Sequence, residues 1–269
     1  MYNKNNFKNK NNFIIERFKN GWKIRSVKDS DQSSTCSVKS IAFKTFLLFC
    51  LSFLSCIFTH LIFNYWINKT VISKITKLYY IKRIMVCCIV AQIAISIATF
   101  FSSLKHQKKI SISMSIIDGI SIYFFFYLLN YHFYNVGQAC CLAIVATAIL
   151  FMSVHLIYKL NIIKVNRYKW RMILFACAFT LILTELIASW VLKISYKHPL
   201  YLFLIGGSLF FASITLLRDF DDMNTLVSYQ IHKDHEWIIA LGFYLNIIYI
   251  FINIIRLLMA TGFLKERES

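Results

Sequence analysis

Apolar residues fall in long runs divided by short polar stretches. Seven runs are long enough to cross a bilayer, at about 43–66, 84–104, 112–131, 138–158, 171–192, 199–217 and 237–259. As a helix, about 20 residues span the ~30 Å hydrocarbon core. None of the runs alternates with period two, and an open sheet leaves its edge groups unpaired in lipid, so strands are not expected. The pattern predicts an all-α integral membrane bundle of seven transmembrane helices. The short turn at 131–138 makes two of them a tight hairpin, and 199–217 is barely long enough to span.

Residues 1–42 carry no apolar periodicity and read as a basic, disordered cytoplasmic tail. The first long apolar run begins only near Phe43, so no cleavable leader is expected. Residues 43–262 form the membrane domain, and 263–269 a short C-terminal tail.

Composition agrees with lipid as the solvent. Of 269 residues, 58% are hydrophobic, 17% aromatic and only 16% charged, with a mean hydropathy of +0.59. The net charge of +18 is spread over both sides of the membrane, without a basic-aromatic module, which argues against nucleic acid. Membrane lipids are the expected partners of the basic tail. Twenty of the 30 Lys+Arg lie on the side of the N-terminus, which predicts a cytoplasmic N-terminus in a bacterial inner membrane. The basic stretch 67–83 then becomes an awkward outside loop. The eight cysteines lie almost entirely in apolar runs with no CxxC or Cys/His spacing, and read as small hydrophobes.

Against that background a few polar residues stand out. A carboxylate at mid-helix costs about 2.5–3.5 kcal/mol on insertion scales, so each needs a partner or a cavity. Asp118, in "SMSIIDGIS", shares a helix face with Ser111 and Ser115, and Gly119 beside it lets a neighbour approach. Glu185 lies deep in "LILTELIASW". Each is either a hydrogen-bonded acid joining two helices or part of a pathway. In the seventh run, Gly242, Asn246, Tyr249, Asn253 and Arg256 recur at alternating spacings of four and three, one polar stripe that must face protein or water. Asp219, Asp221 and Asp222 close the sixth run, where a helix C-terminus is a poor neighbour for acid. Such a cluster is either a solvated end paired with Arg218 or a site for protons or a hard cation such as Ca²⁺. His232, Asp234, His235 and Glu236 read as a solvated loop. No phosphate-loop, zinc-protease or serine-hydrolase motif is present, and nothing argues for an enzyme or a resident cofactor.

The order of several motifs resembles the Bax inhibitor-1/YccA family, in particular its bacterial YccA-like branch. They are Asp219-Phe220-Asp221, then Glu236-Trp237, Ala240-Leu241-Gly242 and Arg256-Leu257-Leu258. Upstream, Lys44-Thr45 in "CSVKSIAFKTFLL" and Asp118-Gly119, in place of the family's Glu-Gly, extend the likeness over about 36–262. The resemblance implies a seven-helix bundle with the last helix near its centre. It also implies a pH-sensitive cation leak, chiefly for Ca²⁺, gated by carboxylates of the sixth and seventh helices. Asp219 carries over, as a gate and possible Ca²⁺ ligand. Its partner does not: relatives often place acids where this chain has Asn246 and Asn253, and an amide cannot titrate. The ion pathway or gate expected from these readings comprises Asp219, Asp221, Asn246, Asn253 and Arg256, with Asp118 and Glu185. The alternative function is a regulatory partner of a membrane-bound protease, acting through tail and loops without conduction.

Overall fold

The computed structural model describes residues 35–69, 74–102, 106–160, 198–229 and 232–265, with Cys177, Thr180, Leu181, Thr184 and Arg267 as single positions. Among the described residues, six helices are long and apolar enough to cross a membrane. They are α1 (Val38–Lys69), α2 (Lys74–Phe101), α3 (Gln107–His132), α4 (Val136–Lys159), α5 (Pro199–Ser228) and α6 (Glu236–Ala260), the last preceded by a 3₁₀ turn at Lys233–His235. The expected span 171–192, and Glu185 with it, falls outside the described residues except for Cys177, Thr180, Leu181 and Thr184.

Helix ends follow local chemistry. Pro199 sits at the start of α5, where its missing N–H costs nothing, and His198 caps the Leu200 amide at 3.2 Å. α6 ends where Gly262 takes a φ of 77° and Phe263 donates back to the Leu258 carbonyl at 3.1 Å. Asn135, at φ 63°, turns α3 into α4 in the tight hairpin expected at 131–138. The segment after α6 docks on that hairpin: the Tyr134 amide donates to Lys265 and the Arg267 amide to His132. The C-terminal residues therefore have a seat on the hairpin.

Three of the differences from the expected spans change the picture. α1 starts at Val38, so Lys39 and Lys44 belong to the helix rather than to the tail or its margin. α2 starts at Lys74, which turns most of the awkward loop 67–83 into helix. α5 continues to Ser228, eleven residues past the expected end, so Asp219, Asp221 and Asp222 lie inside a helix and not at its C-terminus. The argument from the helix dipole therefore fails.

α6 packs against α1, α3, α4 and α5, which puts it amid the described helices. Its neighbours bury Ala240, Leu241, Tyr244, Ile250 and Ile255 almost completely. α1 instead turns Phe43, Phe46, Phe53 and Phe58 outward, each about two-thirds exposed. Such a wide apolar face on a long helix is what lipid, and not water, would cover.

Candidate functional site

Three carboxylates stand at contacts between α6 and its neighbours, two from other helices and one from α6 itself. The first is Asp219. Asn246 donates its side-chain amide to Asp219 Oδ2 in a short contact between α5 and α6. Asn246 lies ten residues into α6, about 15 Å from its start at ~1.5 Å per residue. At Gly242, one turn earlier, a Cβ would stand in ordinary contact with Asp219 Oδ2, at 3.8 Å. Phe220 explains why this part of α5 is held firmly. It is buried among Phe151, His155 and Tyr158 of α4 and Phe243 of α6, with ring centroids 4.9–5.8 Å away. Keyed by that ring, the preceding residue is presented to Asn246.

The other two aspartates of the patch do something else. Asp222 receives Arg218 Nε at 3.3 Å along the same helix. The Asp221 carbonyl accepts from Thr225 Oγ1 at 2.7 Å. The hydrogen bond to Asn246 is made by Asp219 and not by either of them.

Farther along α6 the stripe changes sign. Arg256 donates from Nε to the Tyr201 hydroxyl at 3.1 Å and from Nη1 to Asn253 Oδ1 at 3.3 Å. Asn253 is fully buried and donates to the Tyr249 carbonyl, so it holds the arginine and does not reach for Asp219. Tyr249 itself is exposed. The stripe thus carries an acid against its middle and a base at its far end.

The second carboxylate is Asp118, 4% exposed. Gln92 of α2 donates to its Oδ1 at 2.7 Å and to Ser121 at 3.2 Å. Ser111 and Ser115 of the same face are both buried, as the spacing predicts. A Cβ on Gly119 would collide with the Ser52 carbonyl oxygen and lie 2.8 Å from Ser55 Cβ, so α1 and α3 touch here through backbone.

The third is Glu236, which the sequence reading left in a solvated loop. It is fully buried. Its carboxylate accepts from the Ser37 amide at 2.9 Å, from Ser40 Oγ at 2.5 Å and from Lys44 Nζ at 2.5 Å. The neighbouring Trp237 ring lies between two ammonium groups, Lys44 at 5.1 Å and Lys108 at 5.8 Å. Thr45 donates to the Ala240 carbonyl at 3.4 Å. His235 is buried too, so the solvated description holds for Asp234 alone, whose side chain is half exposed.

Gln92, Tyr201, Tyr244 and Lys44 were not among the predicted site residues. Gln92 had a signal, an amide in the middle of "IVAQIAIS"; Tyr201 and Tyr244 had none among so many aromatics. Lys44-Thr45 and Glu236-Trp237 appeared as separate fragments of one family pattern, and here they touch.

Among curated proteins, none matches the chain. The family described as Bax inhibitor 1 like matches residues 8–262, nearly the whole length and every helix above. A bundle of apolar helices around α6, with those motif residues in mutual contact, is a multi-pass membrane protein, and it belongs to the Bax inhibitor 1-like family.

Proposed function

We propose that the protein is a pH-modulated cation leak, with Ca²⁺ as its principal ion and Asp219 as its gate. The observation that carries this reading is the Asp219–Asn246 contact between α5 and α6. An ionised Asp219 attracts a cation, and the amide orients the carboxylate without neutralising it. Protonation removes that attraction, which makes the leak respond to pH. Arg256 is engaged by Tyr201 and Asn253 at the far end of the stripe. The same reading places the protein in the YccA-like branch, with a seventh span at 171–192. It also sets the N-terminus in the cytoplasm of a bacterial inner membrane, on the charge distribution and motif order of the sequence.

The test is Ca²⁺ entry into vesicles holding a fluorescent Ca²⁺ dye. Wild-type protein should admit Ca²⁺, and Asp219→Asn should change the flux or its pH dependence more than Asp222→Asn does. Equal and negligible effects of the two substitutions would remove Asp219 from the pathway.

A further inference from the structure

Asp118 meets a second polar group across the α3–α6 interface, the Tyr244 hydroxyl, and Ser52 of α1 is also within reach of that hydroxyl. Tyr244 is fully buried, its ring set edge-on against Phe49 at 5.0 Å. Asp118 Oδ2 and the Tyr244 hydroxyl are both enclosed, and neither has a partner in hydrogen-bond geometry among the described residues. Oδ1, in contrast, is fixed by Gln92. The groups facing Asp118 are neutral: Gln92 on α2, Ser121 on its own helix with the Cys88 thiol of α2 beyond it, Tyr244 on α6, and Ser52 on α1. Among the described residues no Lys, Arg or His balances this carboxylate.

We propose that Asp118 and Tyr244 form a proton-binding site on the opposite flank of α6 from Asp219, which supplies the second titrating carboxyl that Asn246 cannot. The proton comes from water and binds Asp118 Oδ2, converting a carboxylate to a carboxylic acid. The new O–H then donates to the Tyr244 hydroxyl oxygen, and the tyrosine proton turns towards Ser52. One proton therefore satisfies both enclosed atoms at once. Loss of the proton leaves a bare charge amid neutral groups and pushes Tyr244 to donate instead of accept. Tyr244 and Asn246 are two residues apart on one rigid helix, so a change at the first alters the seat of the second. Coupling of this proton to flux rests on the leak proposed above; the proton site itself does not.

Infrared difference spectroscopy of the full-length protein in lipid, recorded against pH, reads the site without any flux. A carboxylic C=O band should fall as pH rises, vanish in Asp118→Asn, and move to higher frequency in Tyr244→Phe, which takes away the acceptor and keeps the ring. Flux in dye-loaded vesicles should change less steeply between about pH 5 and 8 in Asp118→Asn, Asp219 alone remaining to titrate. An unchanged band in Tyr244→Phe would overturn the pairing, as would a spectrum that Asp118→Asn leaves intact. If Asp118→Asn does not fold, the Tyr244→Phe shift decides alone. Wild-type vesicles that admit no Ca²⁺ while the band still shifts would retire the leak and keep the proton site.

Discussion

Glu236 and Asp219 both stand at contacts between α6 and another helix, and they are treated in opposite ways. Glu236, the first residue of α6, is enclosed by three donors from α1 and the residue before it, one of them a lysine. Asp219, only partly buried, is met among the described residues by one neutral amide. A fully compensated buried carboxylate has little to gain from a proton or a passing ion and serves to hold two helices. A carboxylate with one neutral donor keeps most of its demand for positive charge. The contrast teaches that burial alone does not mark a site here; what matters is how many of the carboxylate's needs the protein has already met.

The largest effect should come from breaking the satisfied member. Glu236→Ala leaves Lys44 and two further donors without their acceptor, and should cost about 3 kcal/mol, read as a lower unfolding midpoint in detergent. The same variant has a local reporter. Burial first, and then the Glu236 charge, push the Cys36 thiol up to about 12, so Cys36 in wild type should be nearly inert to alkylation at pH 8. Removing Glu236 lowers that value and frees the seat, and Cys36 should react faster. An unchanged rate would show that the first turn of α1 stays docked without its acid.

Asn246→Ala strips Asp219 of its one donor and should cost less, about 1–2 kcal/mol. Asn246→Asp sharpens the comparison in the other direction, placing a second acid where the amide now donates. Two carboxyls in contact share protons, so flux should become more steeply dependent on pH. A pH profile identical to wild type, from folded protein, would break the link between position 246 and the pathway. The smallest effect belongs to Gly242→Ala: its methyl would meet Asp219 Oδ2 at an ordinary 3.8 Å. Stability should change by less than about 1 kcal/mol, helix propensity favouring alanine. Any loss of flux would then come from a narrower approach to the carboxylate.

Hydropathy located all six described helices, because the runs that bury themselves in lipid are the runs that must satisfy their backbone internally. It missed where helices continue past their apolar runs. "RDFDDMNTLVS" is too polar to span, yet nothing in it breaks a helix, and α5 continues through it. The 3–4 spacing on α6 revealed Asn246 beside Gly242, and Asp219 was visible as acid in an apolar setting. The seat of Glu236 was not visible, since His232, Asp234 and His235 beside it look like loop and its partners are more than 190 residues away. Likewise the neighbour of Asp118 is one tyrosine among 15, which spacing cannot single out.

Thr35 forms an antiparallel bridge with His232, and the Cys36 thiol donates to the His232 carbonyl at 3.2 Å. These two contacts precede the first turn of α1 and land on the segment leading into α6. Tension applied to the chain ahead of Thr35 has a short load path: it reaches the approach to the innermost described helix before it is borne by any lipid-facing one. A pull at Thr35 is therefore felt by the stem of α6 as well as by α1.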